Sequence, residues 1–398
     1  MSIARFFLIL IALLTGSAAR AAPRPVTILI SIDGFRADYL ERGLTPTLAA
    51  LARHGLNAAM RPAFPAITFP NHEAIVTGLT PDRSGIVHNT FEVPGHPGVT
   101  FTQAKSDDAF WWAGAEPIWV AAERAGIRTA TLFWPGSQVA HDGIRPSDWQ
   151  HYDKAISGEQ RVAAVIDWLR RPAGTRPRFV TLYFDIVDTA GHTSGPDSPE
   201  LAASLRTVDR QIATLCAGLA ALGQPANLVI VADHGMAASG SARAIMIDTI
   251  ADRADFRVIT DGPATMIAPV AGHEDRLARA LLAPHAHVHC WRREEVPARF
   301  HYGTNPRVAP FVCLADTGWQ LRDTIPAKGI NAGDHGYDND APEMRALFIA
   351  QGPAVARGRR LPVFDIVDVY ALLRDLIGLP PKPGIDGSDA PFRGMIHP

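Results

Sequence analysis

Val26-Thr27-Ile28-Leu29-Ile30-Ser31-Ile32 is a run of apolar and β-branched residues that ends at Asp33-Gly34. A mainly apolar run of this length, in which polar residues do not alternate with apolar ones, predicts a β-strand that is buried on both faces. Strands of this kind belong to parallel sheets that are covered by helices on both sides. The run therefore predicts an α/β fold, with an acidic side chain at the carboxyl end of the strand.

Similar strands alternate with helices along most of the chain. Further strands are predicted at 127–134, 179–188, 227–232 and 346–350, and helices at 116–125, 157–169, 199–222 and 364–377. This alternation predicts a doubly wound, mainly parallel sheet flanked by helices. Shorter strands around a helix at 274–282 interrupt the pattern. We therefore expect one catalytic domain over 23–398, with a small α+β insertion at about 256–323.

The composition is that of an ordinary globular protein. The 398 residues are 47% hydrophobic and 20% charged, with a formal net charge of -2. These values exclude a disordered chain, a collagen-like repeat and a coiled coil. The balanced charge also excludes a general electrostatic attraction to polyanions, so we expect no scaffold role on nucleic acid.

The amino-terminal residues have the pattern of a secretory signal peptide. Arg5 precedes an apolar run at 6–14, and an Ala-rich segment then leads to Pro23. We expect residues 1–22 to be removed, with cleavage near Ala21 or Ala22. The run is shorter than the ~20 residues that a spanning helix needs, and no later stretch is long enough, so we expect no stable membrane span. The protein is expected to be exported, to the periplasm or the medium.

The chain has three cysteines, Cys216, Cys290 and Cys313. An oxidising compartment permits one disulfide among them and leaves one thiol over. Their pairing does not follow from the spacing, and Cys290 with Cys313 is one of the candidates.

Acidic and imidazole side chains cluster where the predicted strands end. They occur in Asp33-Gly34, in 188–192 (DTAGH), in 233–235 (DHG) and in 333–338 (GDHGYD). Taken singly, each motif is explained as well by a turn or by a hydrogen-bonded histidine. The carboxyl ends of the strands meet at one edge of an open α/β sheet, however, and this edge is where ligands bind. Because so many carboxylates would repel one another there, the cluster predicts two divalent cations.

A nucleophile is predicted at Thr68. Residues 65–78 (PAITFPNHEAIVTG) read as a short extended segment that runs into a helix, with Thr68 at its amino end. Backbone N–H groups and the helix dipole favour an alkoxide and a phosphate oxygen at such a position. The alternative is that Thr68 is only an N-cap, and the nearby acidic and imidazole cluster favours the nucleophile.

Six stretches together resemble one known family. They are 30–36 (ISIDGFR), 64–72 (FPAITFPNH), 188–196 (DTAGHTSGP), 232–236 (ADHGM), 334–339 (DHGYDN) and 348–353 (FIAQGP). In this order they are similar to the nucleotide pyrophosphatase/phosphodiesterase family of the alkaline phosphatase superfamily, including its exported bacterial members. The resemblance covers nearly the whole mature chain and implies an alkaline-phosphatase-like fold.

The resemblance also implies a site with two Zn²⁺ ions, for which Mn²⁺ or Co²⁺ are substitutes by ligand type. Thr68 would be the nucleophile, and Asn89 would hydrogen-bond a phosphate oxygen. The implied ligands are Asp33, Asp233, His234 and Thr68 for one ion, and Asp188, His192 and His335 for the other. By itself, Asn89 is better explained as a loop cap, and its role in binding phosphate is implied only by the resemblance.

The implied activity is hydrolysis of nucleotide phosphodiester or pyrophosphate bonds to nucleoside 5'-monophosphates, through a phosphothreonine intermediate. Phe69 and Tyr183 match positions that sandwich the nucleobase of a small-molecule nucleotide, although Tyr183 is equally explained as a core residue. Two alternatives remain: a phospholipid (lysophospholipase C-like) or phosphonate hydrolase of the same superfamily, and a secreted structural zinc-binding protein. The base preference, native metal and oligomeric state stay open.

Overall fold

The Val26–Ile32 strand lies inside the central sheet, and all seven of its residues are buried. It pairs in parallel with Phe179–Phe184 on one side and with Ala226–Val231 on the other. Both faces of the strand are covered, as its mainly apolar sequence predicts. The computed structural model describes residues 25–397, so the predicted signal peptide lies outside the described residues.

Within residues 25–397 the central sheet has nine strands, most of them parallel. From one edge to the other they are Arg359–Arg360, Leu56–Arg61, Ala346–Gln351, Ala226–Val231, Val26–Ile32, Phe179–Phe184, Thr129–Leu132 and Asp148–Gln150, and Phe364–Asp365 also pairs with Leu56–Arg61. Ala346–Gln351 runs antiparallel to both of its neighbours. The predicted mainly parallel α/β sheet is therefore confirmed, with one strand reversed.

Helices connect and cover these strands. In the described part of the chain the α-helices are Pro46–His54, Thr68–Thr77, Pro81–Ser84, Ala109–Trp112, Ile118–Arg124, Gly158–Arg170, Ile186–Ser194, Pro199–Ala221, Glu274–Leu281 and Val369–Ile377. Ser157 and Gln160 form a reciprocal capping box at the start of Gly158–Arg170. No helix within residues 25–397 combines the length and the apolar character that crossing a membrane requires.

Two of the predicted elements are wrong in extent. The strand expected at 179–188 ends at Phe184, and the chain turns into the helix Ile186–Ser194. The helix expected at 364–377 begins only at Val369, because Phe364–Asp365 extends the central sheet instead. Both segments are apolar, and an apolar run by itself does not distinguish a buried strand from a buried helix.

A second, antiparallel sheet lies within residues 256–315. Its strands, in spatial order, are Phe256–Thr260, Ala264–Pro269, Phe311–Ala315 and Val288–Arg292, and Glu274–Leu281 packs against it. Cys290 and Cys313 lie opposite each other on adjacent strands and form a disulfide, which leaves Cys216 as a free thiol. The predicted α+β insertion covers this region.

Three two-stranded sheets complete the fold. They are Thr90–Val93 with His96–Thr102, Ala244–Met246 with Gln320–Arg322, and Ala237–Ala238 with Gly333–Asp334. The last of these brings the segment that follows Asp233 and His234 next to the segment that precedes His335. Two distant parts of the sequence therefore meet at the carboxyl edge of the central sheet.

His88 is buried beside the antiparallel sheet of the inserted region. Its Nδ1 atom accepts a hydrogen bond from the Thr90 N–H, and the ring also bonds to the backbone of Ala264 at the start of an inserted strand. Burial lowers the pKa of His88 to about 4, from an ordinary value of 6.5. The folded protein thus holds this imidazole in its neutral form.

His88 should make the fold less stable in acid. Between the two pKa values the unfolded chain binds a proton that the folded protein does not, so the free energy of unfolding falls as the pH is lowered through this window. At about pH 5 the loss should be about 2 kcal/mol relative to neutral pH. We expect His88→Gln to weaken the acid dependence of urea unfolding by this amount. The exposed His96→Gln variant serves as the control, and equal acid dependence in both variants would contradict the prediction.

Candidate functional site

Thr68 is the first residue of the helix Thr68–Thr77, and it lies at the edge of a cavity. Ile67, one residue earlier, occupies the N-cap position in an extended conformation and makes no side-chain cap. The alternative interpretation of Thr68 as the N-cap is therefore wrong by one position. Because the first N–H groups of a helix have no partner within it, this end of the helix suits an anion.

Asp33 and Asp233 gather around His234, which lies next to the Thr68 hydroxyl. His234 Nε2 lies 3.3 Å from Thr68 Oγ1, 3.0 Å from Asp233 Oδ2 and 3.5 Å from Asp33 Oδ1. Asp33 follows the strand Val26–Ile32, and Asp233 and His234 follow the neighbouring strand. Parallel strands thus deliver these groups to one point, as their sequence positions predict.

Asp188, His192 and His335 form a second cluster beside the first. Asp188 Oδ1 lies 3.4 Å from His192 Nε2 and 3.6 Å from His335 Nε2, and these two nitrogens are 3.0 Å apart. Asp188 and His192 lie on the helix Ile186–Ser194 rather than on a strand. Since they are four residues apart, they share one face of this helix and both reach the site.

The two clusters are adjacent. Asp188 belongs to two groups of potential ligand atoms, and within each group the atoms lie within 4.8 Å of one another. One group contains Asp33, Asp188 and His234, and the other contains Asp188, His192 and His335. The structure therefore brings all six predicted metal-ligating side chains, together with Thr68, into one region at the carboxyl edge of the sheet.

All three imidazoles present the same nitrogen to the site. In each ring Nδ1 donates to a backbone carbonyl oxygen at 2.9 to 3.0 Å, which leaves the Nε2 lone pair facing the carboxylates. The carbonyls belong to Gly333 for His192, Gly235 for His234 and Ala66 for His335. A histidine that ligates a metal is held in this way by a partner on its other nitrogen.

The carboxylates of Asp33, Asp188 and Asp233 are crowded. Burial, together with Asp233 and Asp188, raises the pKa of Asp33 well above its ordinary value, and burial raises that of Asp188. For Asp233, burial acts upward, but the His234 and His72 imidazoles outweigh it and hold its pKa well below the usual range. The site thus crowds three carboxyl groups together, and imidazole contacts offset the cost of burial for Asp233 alone.

One oxygen of each of these three carboxylates accepts no hydrogen bond within residues 25–397, although imidazole nitrogens lie 3.0 to 3.6 Å away. They are Asp33 Oδ1, Asp188 Oδ1 and Asp233 Oδ2, and all three are buried. Leaving charged oxygens buried and unpaired is costly, whereas divalent cations would satisfy them. Oxygen and imidazole donors together suit a catalytic site for zinc or a similar transition metal. The residues therefore fit a two-metal centre.

His72 is a further buried imidazole beside this centre, and no motif in the sequence assigns it a role. One ring nitrogen contacts Ser31 Oγ at 2.8 Å and the other contacts the Thr68 carbonyl oxygen at 2.9 Å. Although His72 also groups with Asp33 and Asp233 geometrically, both of its nitrogens are already engaged. Its position one helical turn after Thr68 was the available sequence signal, since residues four apart share a helix face.

Asn89 is oriented by the segment that carries the candidate nucleophile. Its Oδ1 atom accepts a hydrogen bond from the Phe69 N–H at 2.9 Å. This contact occupies the oxygen end of the amide and leaves the Nδ2 end as the donor. Asn89 therefore lies beside the first turn of the helix, as its predicted role requires.

A cavity of about 460 Å³ opens beside Thr68. Its walls include Phe69, Tyr152, Tyr183 and Asp188. The volume is in the range of small-molecule binding sites. A larger cavity of about 770 Å³ lies elsewhere and is lined by arginines and aspartates such as Arg299. Because none of the clustered side chains lines it, we assign the functional site to the smaller cavity.

The two tyrosines of the cavity differ in their environment. Tyr183 is half-buried, and its hydroxyl donates to Asp33 Oδ2 at 2.6 Å, so it also orients a candidate metal ligand. Tyr152 is 52% exposed, and its ring centroid lies 6.0 Å from that of Tyr183. Tyr152 is not predictable from the sequence, because it lies in an irregular segment and no local pattern distinguishes it.

Comparison with known proteins agrees with this geometry. Residues 27–338 match the family described as type I phosphodiesterase / nucleotide pyrophosphatase. The chain is 36% identical over 380 residues to a pyrophosphatase/phosphodiesterase of Schizosaccharomyces pombe, covering 89% of this chain and 77% of that protein. It is 36% identical over 387 residues to ectonucleotide pyrophosphatase/phosphodiesterase family member 1 of Mus musculus, covering 94% of this chain but only 43% of that protein.

A solved structure is also similar over its whole length. It is murine ectonucleotide pyrophosphatase/phosphodiesterase 5, an inactive threonine-to-alanine variant in complex with AMP. It matches with a TM-score of 0.88 at 31% identity, covering 94% of this chain and 100% of that chain. The resemblance inferred from the six motifs is thus confirmed, and the chain belongs to the type I phosphodiesterase/nucleotide pyrophosphatase family as one of its hydrolases.

Proposed function

We propose that this hydrolase cleaves nucleotide phosphodiester and pyrophosphate bonds and releases nucleoside 5'-monophosphates. The observation that carries the proposal is the position of Thr68 Oγ1, at a helix N-terminus, 3.3 Å from His234 Nε2 and open to the aromatic cavity. A nucleophile, a candidate metal centre and a slot for an aromatic ring therefore adjoin one another.

Two Zn²⁺ ions are the proposed cofactors. Asp33, Asp233 and His234 would hold one ion next to Thr68, and the cluster of Asp188, His192 and His335 would hold the other. Bound there, zinc would supply Lewis-acid stabilisation of the attacking and departing oxygens. The carboxylate oxygens that accept no hydrogen bond and the inward-facing Nε2 atoms support this assignment.

Thr68 is proposed to attack the phosphorus in line with the leaving oxygen. The Thr68 hydroxyl loses its proton to solvent, and a bond forms between Oγ1 and phosphorus while the bond to the leaving oxygen breaks. Water then attacks the phosphothreonine, the Oγ1–phosphorus bond breaks, and Thr68 regains a proton as the monophosphate is released. The N–H groups of the first helical turn favour the anionic oxygens. The Nδ2 end of Asn89 would donate to a non-bridging phosphate oxygen, since its Oδ1 end is held by Phe69 N–H.

Phe69 and Tyr152 are proposed to stack against the nucleobase. Both rings line the cavity, and the exposed Tyr152 ring has a face available for a ligand. The ring of Tyr183 remains a predicted contact of the nucleotide, while its hydroxyl is engaged by Asp33. The AMP bound in the similar murine structure supports a nucleotide as the substrate.

The alternatives are less well supported. The cavity walls carry polar groups, among them Gln138, His151 and Lys154, which suit a nucleotide better than an acyl chain. A structural zinc site has a closed set of protein ligands, whereas this cluster borders an open cavity. The disulfide and the similarity to ectonucleotide enzymes indicate an extracytoplasmic protein, and we propose the periplasm as its compartment.

Thr68→Ala should abolish turnover. Removal of a nucleophile that forms a covalent intermediate is expected to lower kcat on the order of 10⁴-fold or more. The assay is p-nitrophenol release from p-nitrophenyl thymidine 5'-monophosphate. Thr100→Ala, in the hairpin formed by Thr90–Val93 and His96–Thr102, is the matched control. Full activity in Thr68→Ala, with metal content and melting temperature preserved, would refute Thr68 as the nucleophile.

Metal removal should both inactivate and destabilise the protein. Without cations, three buried carboxylates repel one another, so we expect a chelator to lower the melting temperature and added Zn²⁺ to restore it. Elemental analysis of the purified protein should give about two divalent ions per chain. His335→Ala should reduce this number, whereas His285→Ala, in the inserted region, should not. A chain that retains full activity after complete metal removal would contradict the two-metal proposal.

Tyr152→Ala should weaken nucleotide binding more than it slows chemistry. Because stacking on an aromatic ring contributes about 1–3 kcal/mol per base, KM for p-nitrophenyl thymidine 5'-monophosphate should rise roughly 10- to 100-fold. Tyr183→Phe keeps the ring and removes the hydroxyl that contacts Asp33, so its main effect should be on metal affinity. A larger KM change in Tyr183→Phe than in Tyr152→Ala would reverse these roles.

A further inference from the structure

Tyr152 lies in an irregular segment, yet its side chain is tied to the rigid core. The segment connects the edge strand Asp148–Gln150 with the helix Gly158–Arg170. The Tyr152 hydroxyl donates to Asp185 Oδ2 at 3.0 Å, and Asp185 directly follows the central strand Phe179–Phe184. Loops are usually more mobile than the elements that they connect, so this bond anchors a cavity wall that otherwise has no regular structure.

The anchor is itself held by a buried cation. Arg161 Nη1 donates to Asp185 Oδ1 at 2.8 Å, so the two carboxylate oxygens serve different partners. The exposed fractions of the Arg161 and Asp185 side chains are 3% and 12%. Arg161 and Asp185 therefore form a buried, hydrogen-bonded ion pair.

Arg161 also connects the loop to the strand. Its Nε atom donates to the Ile156 carbonyl oxygen at 2.9 Å, at the end of the loop that carries Tyr152. Its Nη1 atom donates to the Tyr183 carbonyl oxygen at 2.9 Å, at the end of the central strand. The guanidinium carbon lies 5.0 Å from the Phe133 ring centroid and 5.8 Å from that of Tyr152. One side chain thus holds two sides of the cavity together.

A general stabilising role does not explain this arrangement well. Burying an ion pair costs desolvation that its attraction often only offsets, so such a pair is weak evidence for stability. Here the carboxylate of the pair also accepts a hydrogen bond from a tyrosine whose ring lines the cavity. Burial, with Asp185 beside it, raises the pKa of Tyr152 to about 12, so its hydroxyl remains a donor at working pH.

We propose that Arg161 and Asp185 are positioning residues for Tyr152, which preorganise its ring to receive the base of a nucleotide substrate. This inference rests on the proposed nucleotide specificity of the cavity. The pair acts through Tyr152 and contributes to KM for substrates that carry a base. It has no part in the chemistry at phosphorus.

The test compares two substrates with one leaving group. p-Nitrophenyl thymidine 5'-monophosphate carries a base, and methyl p-nitrophenyl phosphate does not. In the full-length protein, Tyr152→Phe removes only the bond to Asp185 and keeps the ring. We expect the ratio of kcat/KM for the nucleoside diester to that for the methyl diester to fall about three- to tenfold, through KM, as one side chain loses its fixed position.

Arg161→Met should lower the same ratio by a similar factor. Arg170→Met, an exposed arginine at the end of the same helix, should keep the wild-type ratio. If Arg161→Met does not fold, Tyr152→Phe still tests the hydrogen bond between Tyr152 and Asp185, because it leaves the buried Arg161–Asp185 pair intact. A ratio that stays at the wild-type value in Tyr152→Phe would overturn the inference.

The experiment separates this failure from failure of the proposed function. If Tyr152→Ala lowers the ratio of the two kcat/KM values but Tyr152→Phe does not, Tyr152 still contacts the base, and the positioning role of Arg161 and Asp185 is refuted. If wild-type protein shows no preference for the nucleoside diester, the base slot itself is refuted, and the positioning role falls with it.

Discussion

The burial of three carboxylates at one edge of the sheet is the constraint on which the site depends. Asp33, Asp188 and Asp233 each have one oxygen that accepts no hydrogen bond within residues 25–397. Uncompensated, this arrangement would oppose folding, because buried anions repel one another and lose their hydration. Cations would remove the penalty, so folding and metal binding should favour each other. Two of these carboxylates follow parallel strands, and the third lies on one face of a helix. The positions of these elements hold the three groups together.

The three imidazoles of the site connect it to the backbone of the surrounding segments. Each Nδ1 atom is held by a backbone carbonyl, and one of these carbonyls, that of Ala66, lies just before Thr68. His335 is thereby linked to the segment that presents the candidate nucleophile, and His72 holds the Thr68 carbonyl from the other side. Phe64, earlier in the same segment, packs at 4.2 Å between ring centroids against Phe300, close to the inserted sheet. The position of Thr68 therefore depends on the central sheet, the helix and the inserted region at once.

The cavity beside this centre has aromatic walls, which come from three separate elements. Its aromatic walls come from the first helical turn at Phe69, from the end of a central strand at Tyr183 and from a loop at Tyr152. Only the loop needs a separate anchor, and the buried Arg161–Asp185 pair provides one. Because the reacting groups and the aromatic wall come from different elements, the wall could vary among relatives with the same fold while the reacting groups stay in place.

Much of this protein follows from local patterns in its sequence. The mainly apolar run at Val26–Ile32 determined a buried parallel strand, and the acidic and imidazole residues after each strand determined where the candidate ligands would meet, because parallel strands end at a common edge. The six motifs identified the family. The tertiary structure alone decided that Asp188 and His192 reach the site from a helix, since an apolar run does not distinguish helix from strand. It also decided that Tyr152 faces the cavity and that the Tyr183 hydroxyl is engaged by Asp33, because these contacts depend on how distant loops pack and leave no periodic signal in the chain.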